Sequence, residues 1–576
     1  MKRRIIILLA FVAITLSLLG QYDERAILFQ QAQQLTFQRQ FTQAEQAWLN
    51  YLAKYSDDQA AIAQLFQLYL QINQTNKAQQ LLNNYRNVLS DTARLEYEIQ
   101  LDIQQAKIND AWDKAQAYLQ LYPKDENKYR LLANYFERKG FFEQAMRLYE
   151  QGRKTLNKPD AFCLEIANNA FYNHQYEKAI PEYLRFLELQ PGNFYFVSNQ
   201  IRQILEEAPE LISKVKTIAS ASQSLEVKEV YALSLSRLGR LSEALEEYSK
   251  LPTEKLSSFA YEQFAAGKDS VAIAAFNALR QREISVIQEG DILLKTAEAY
   301  IHLKQYAQAE STLAFIIDPV THQPQAKFSR KKYPFQAMLL LSDIALWQGK
   351  DSRMIEALLK EARQFAISSD DEAEVNYRLV GNYLINERYD DAEQLLTGIS
   401  ASKQPDRYLY YGFLNASCQG KTDVADSLVN DLILRVPASP YVNDALTLNI
   451  MLMNLSKPAQ ATFLQAVRQR MAHRDSLSVQ TVLNLSLSAK DEELRILAAD
   501  WAEASGFNAW ADAIYDYNWQ DGLLREYAQL QRLRLQKQSS SAENIAQDFL
   551  RQNPNSVFSP AFRQILQKLP SGRPTF

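Results

Sequence analysis

At 576 residues the chain is too long for one globular core, and its 15 glycines and 17 prolines leave few places where a helix would break. With 47% hydrophobic and 23% charged residues it does not have the make-up of a disordered chain. The formal charge of −4, which already counts Lys2, Arg3 and Arg4 as positives, leaves a mildly acidic body and argues against nucleic acid as the main partner, because that binding needs a basic surface.

Residues 1–20 read as a secretory signal peptide: a basic start, the apolar run Ile5–Leu19, then the small residue Gly20. The run falls short of the roughly 20 residues that span a bilayer, and no cysteine follows to carry a lipid. Cleavage near Gly20 is expected, which places the mature protein in a bacterial periplasm or cell envelope. The alternative is an uncleaved segment serving as a membrane anchor.

From residue 21 to 193 a pattern recurs about five times. A small residue stands three positions after an aromatic in Phe41…Ala44, Phe142…Ala145 and Tyr176…Ala179, with Ala78 and Ala111 in the same register. Successive alanines at 44, 78, 111, 145 and 179 lie 34, 33, 34 and 34 residues apart. A large apolar residue follows four positions on (Trp48, Leu82, Tyr149, Tyr183), a glycine precedes by five (Gly140), and a proline closes some units (Pro123, Pro191). Each unit therefore predicts two helices. The first is apolar at helical spacing, as in Tyr129, Leu132, Ala133 and Phe136. A turn follows, and the second helix crosses the first at close range over the small residue. Residues 194–223 keep the hairpin length without the aromatic–alanine pair and read as a degenerate unit.

Residues 224–317 return to the pattern with Gly239, Ala244 and Ala309. Residues 318–334 are too long for a turn and read as an inserted loop; its basic run Lys327–Lys332 reads as solvated. Residues 335–437 resume with Ala392, Gly420, Ala425 and Pro437, although Met354 stands where alanine is expected. Gly420-Lys421-Thr422 also has the form of the end of a phosphate-binding loop. That reading fails because Asn415 occupies the required glycine and no buried strand precedes it. Residues 438–576 read as an irregular helical region in which Ala542, Ala546, Phe549 and Pro554 restore the end of one unit. Trp501, Trp510 and Trp519 read as packing between hairpins.

A single hairpin cannot bury both its faces, so the units must stack. The pattern resembles the tetratricopeptide repeat family, carried best by residues 126–160. The resemblance implies an all-α solenoid of stacked antiparallel helix hairpins that binds proteins or peptides on the concave face lined by the first helices. There, Arg130, Asn134, Glu137, Arg138, Asn168, Phe171 and Tyr172 stand outside the packing positions. Arg130 and Asn134, one turn apart, resemble half of the carboxylate clamp of some family members. Arg435–Leu446 and Arg551–Phe562 resemble unit junctions of bacterial envelope members, including the outer-membrane assembly lipoproteins, but without their lipid-bearing cysteine.

No catalytic constellation stands out. The four histidines lack metal-ligand spacing, and there is no glycine-flanked nucleophile, zinc-protease helix or dinucleotide loop. The acidic runs Asp370-Asp371-Glu372 and Asp390-Asp391 suit helix starts. Cys163 and Cys418 read as buried thiols rather than a disulfide. The expectation is a non-catalytic scaffold with protein or peptide partners, no cofactor and no metal. An envelope enzyme or glycan-processing factor is the rival.

Overall fold

The computed structural model describes residues 24–329, 332–399, 404–536 and 542–568; the expected signal peptide lies outside them. Among the described residues every regular element is a helix, and the only β-type pairing is an isolated antiparallel bridge between Ile317 and Pro324. Consecutive helices pack as antiparallel hairpins that stack on their neighbours, as in Glu126–Glu137 on Phe142–Leu156 and Pro405–Cys418 on Thr422–Arg435. The chain divides into two compact units, Met1–Leu256 and Ser257–Phe576, with the border inside helix Thr253–Ala265.

The repeat positions have physical roles. Ala44, Ala78, Ala111, Ala145, Ala179, Ala244, Ala309 and Ala392 have no exposed surface, and Ala425 retains 3%. Tyr149 and Tyr183 are fully buried at the next turn of the same helices. Five residues before each alanine the chain takes a left-handed conformation whatever side chain stands there. It does so at Gly140 (φ 81°), Gly239 (φ 76°) and Gly420 (φ 71°), and equally at Arg39, Asn73, Ala106, His174, Lys304 and Glu387 (φ 55–62°). The next backbone N–H then bonds back over the helix end, as from Phe141 to the Phe136 carbonyl at 3.0 Å and from Lys421 to Ala416 at 2.9 Å. This left-handed cap ends the first helix and turns the chain into the second. In this setting Lys421 and Thr422 are turn and helix-start residues, and Lys421 pairs with Glu393 at 2.9 Å.

The same geometry recurs at Gly267, which fits the glycine position of the pattern in the sequence, and at two turns that the pattern missed. Gly267, His473 and Gly506 are left-handed turns, and Ala272, Ser478 and Ala511, five residues on, have no exposed surface. Hairpins in register therefore continue into the C-terminal region, with serine taking the small position at 478. After Gly349 the second helix starts one residue late, capped by Asp351, whose side chain accepts from the Arg353 N–H. Ile355 (4% exposed) enters the core and Met354 (50%) faces out.

Residues 318–329 of the stretch expected as an inserted loop form a structured turn. Asp318 accepts from the backbone of Val320 and Thr321, and Phe328 is fully buried against Tyr333. The following helix already begins at Lys332, so Pro334 sits in its first turn. Lys327 and Lys332 pair with Glu289 and Asp291. Trp501 stacks on Phe463 and Trp519 donates to the Tyr515 carbonyl, both inside the hairpin core. Both thiols are free; Cys163 is buried and Cys418 half-buried.

Candidate protein-binding groove

In the Met1–Leu256 unit the first helices of consecutive hairpins present two rows of side chains. One row is Gln67, Gln100, Asn134 and Asn168; the other is Gln71, Gln104, Arg138 and Tyr172, each spaced by 33, 34 and 34 residues. The rows form because equivalent positions on stacked helices face the same side, and the two members in each helix are four residues apart, one turn. Between helices Gln59–Gln71, Asp91–Gln104 and Glu126–Glu137 they enclose an open groove of about 460 Å³. Its walls are Gln67, Gln71, Gln100 and Gln104 with Tyr135, Arg138 and Lys139.

The groove is held by hydrogen bonds within and between repeats. The Gln67 amide donates to Gln100 Oε1 at 2.8 Å, and the Gln104 amide donates to Asn73 Oδ1 at 2.8 Å. Tyr135 donates to Glu96 at 2.5 Å, and the burial of this hydroxyl beside the carboxylate holds its pKa well above the ordinary value. Arg138 and Lys139 are exposed at the rim and have no ion-pair partner among the described residues.

The residues picked out from the sequence separate into two groups. Arg138 is in the groove, and Asn134 and Tyr172 are exposed on the same rows; Tyr172 is 70% exposed. Arg130, Glu137, Asn168 and Phe171 are engaged inside the protein. Arg130 donates to Glu165 at 2.5 Å and Glu126 at 3.1 Å and lies over the Phe162 ring. Glu137 accepts from Asn169 and Tyr149, and burial raises its pKa. Asn168 accepts from Tyr183, and Phe171 packs against Tyr172, Tyr176 and Tyr183. The half-clamp of Arg130 and Asn134 therefore does not form, since the guanidinium is spent on Glu165. Sequence reasoning missed Gln67, Gln71, Gln100, Gln104, Tyr135 and Lys139. Counting one repeat back from Asn134 and Arg138 would have found Gln100 and Gln104.

Among the described residues no group of three or more His, Cys, Asp or Glu is placed to hold a metal ion, and no helix is long and apolar enough to cross a membrane. No family model matches the chain. In sequence it is similar to serine/threonine-protein phosphatase 5 of Mus musculus, 23% identical over 215 residues, or 35% of this chain and 42% of the relative. The chain thus spans less than half the length of that relative. Among solved structures it is similar to Naa15/Naa10 bound to HypK-THB (11% identity, TM-score 0.24, covering 96% of this chain and 94% of the other). It is likewise similar to the APC/C hetero-tetramer Cut9–Hcn1 (12% identity, TM-score 0.26, covering 95% and 96%). At these TM-scores neither likeness carries an argument, and the architecture of the chain rests on its own helix hairpins and their left-handed caps.

Proposed function

We propose that the chain is a tetratricopeptide-type scaffold that binds an extended segment of a partner protein, without bond-making chemistry, in the groove between Gln67 and Lys139. The observation that carries this reading is the alignment of side-chain amides on successive first helices. Gln71 and Asn134 are exposed and each offers a donor and an acceptor, which an extended backbone needs at regular intervals. With packed helices about 8–10 Å apart and an extended chain rising about 3.3 Å per residue, one rung meets every third residue. Arg138 and Lys139 at the rim favour a segment with a carboxylate side chain there. The basic and apolar start of the sequence supports export to the bacterial cell envelope, with envelope or outer-membrane assembly as the setting.

The test is selection from a random peptide library on the immobilised chain, followed by anisotropy with the enriched peptides. Acid-bearing extended peptides should emerge and should bind the Arg138→Glu/Lys139→Glu variant at least about tenfold more weakly, the effect of turning attraction into repulsion. Enriched peptides that bind this variant and Gln100→Ala as well as the unaltered chain would sink the assignment.

A further inference from the structure

The groove rows do not stop at Tyr172. Counted from the residue that turns the chain after each first helix, the second row stands two positions back: Gln71 before Asn73, Gln104 before Ala106, Arg138 before Gly140 and Tyr172 before His174. The same count places Glu206 before Ala208, which ends helix Phe194–Glu207, and Arg237 before Gly239, which follows helix Leu225–Arg237. These two helices pack on each other and enclose a second hollow of about 280 Å³, lined by Arg202, Leu205, Glu206, Ser234, Arg237 and Leu238. Its wall repeats that of the first groove position for position: Arg202 stands as Gln100 does, Leu205 as Ile103, Glu206 as Gln104, Ser234 as Tyr135, Arg237 as Arg138 and Leu238 as Lys139.

Two substitutions set its chemistry. Where the first groove has the Tyr135 ring, the second has Ser234, and its hydroxyl turns back onto the Val230 carbonyl of its own helix at 2.7 Å. The floor is therefore left open and apolar, with Leu205 buried and Leu238 half-buried. The charges around it divide. Arg202 is engaged with Glu206 at 2.5 Å. Arg237 is exposed, donates to the Ser198 carbonyl at 3.3 Å and has no ion-pair partner among the described residues. Between Arg138 and Arg237 the row shows Tyr172 and then Glu206, whose exposed carboxylate disfavours an acidic side chain beside it. A hollow of this size lies below the usual range of small-molecule pockets and suits one side chain of a bound polypeptide.

We propose, resting on the groove reading above, that the same extended partner segment runs on past Tyr172 and seats a second anchor here, an apolar side chain on Leu205 and Leu238 beside a carboxylate on Arg237. Arg138 and Arg237 are three helix steps apart, about 27 Å at 8–10 Å per step, or about eight residues of extended chain. The partner segment thus carries two acidic residues about eight positions apart, an apolar residue next to the second, and no acidic residue at the rung that passes Glu206.

The probe is a random peptide library selected twice, once on the unaltered chain and once on Arg237→Glu. Peptides from the first selection should carry both acids at that spacing with the apolar neighbour, and those from the second should keep one acid and lose the apolar–acidic pair. By anisotropy, a peptide from the first selection should bind Arg237→Glu and Ser234→Leu at least about tenfold more weakly than the unaltered chain, because linked anchors reinforce each other. The same peptide cut back to its first acidic half should bind all three chains alike. Arg237 is exposed, so Arg237→Glu carries the test if Ser234→Leu folds poorly. Peptides that weaken on Arg138→Glu/Lys139→Glu yet bind Arg237→Glu as tightly as the unaltered chain would overturn the second anchor and leave the first groove standing. Peptides indifferent to every one of these variants would overturn both.

Discussion

Ala145 shows how much one atom count decides. It has no exposed surface, and it stands where Phe142–Leu156 crosses Glu126–Glu137. Leucine there must push the two helices apart, so Ala145→Leu is expected to cost about 1–3 kcal/mol by urea denaturation. Glu143→Leu, on the exposed side of the same helix, should cost little. Glu356 makes an electrostatic prediction. Lys360 at 2.7 Å, Arg388 at 2.6 Å and the Tyr383 hydroxyl at 3.0 Å stabilise its charged form and lower its pKa from 4.5 to about 2, against a smaller opposing effect of burial. A carboxylate whose pKa is lowered by folding contributes stability that is complete above its unfolded value and is lost as pH falls towards the folded one. Urea midpoints of the unaltered chain and Glu356→Gln should therefore differ most above pH 4.5 and converge as pH approaches 2.

At the scale of the element, the hairpin turn imposes its conformation on whatever residue is present. Ala106 holds φ 58° where Gly140 and Gly420 serve in other units. A β-carbon in the left-handed region costs about 1–2 kcal/mol, partly offset because glycine also frees the unfolded chain. Ala106→Gly is expected to stabilise the protein by roughly 0.5–1 kcal/mol, read as a rise in urea midpoint. A fall would mean that the alanine methyl makes contacts that outweigh the strain. This turn also explains where the sequence pattern was legible and where it blurred. Glycine signals a left-handed cap on its face, but arginine, alanine or glutamate in the same role does not. The small residue at the crossing was therefore the better marker, until serine replaced alanine at Ser478.

For the whole molecule, the two compact units set the expectation for unfolding. In the second, one continuous apolar core runs from Leu293 to Ala528, and in the first a separate cluster runs from Ala32 to Leu101. Trp48 and Trp112 report on the first unit, and Trp347, Trp501, Trp510 and Trp519 on the second. Variants retaining only one tryptophan set should give different urea midpoints, because long repeat arrays lose all-or-none cooperativity. Coincident midpoints would show that the chain unfolds as one cooperative body.

The sequence by itself determined the hairpin and its stacking. A crossing that admits only a small side chain, with a large apolar residue one turn later, depends on neighbours within about 34 residues and leaves its trace in the spacing. It also placed Arg138 and Asn134 on the face that lines the groove. Only the tertiary structure decided that Arg130 is held by Glu165, that Gln67 and Gln100 meet across a repeat boundary, and that Lys457–Met471 lies over hairpins far earlier in the chain, where Arg468 donates to Glu387. Glutamine and arginine are ordinary residues on any exposed helix, so their roles depend on which surfaces the stack brings together. A contact between residues 81 apart depends on how successive hairpins pack on one another, and no local spacing records it.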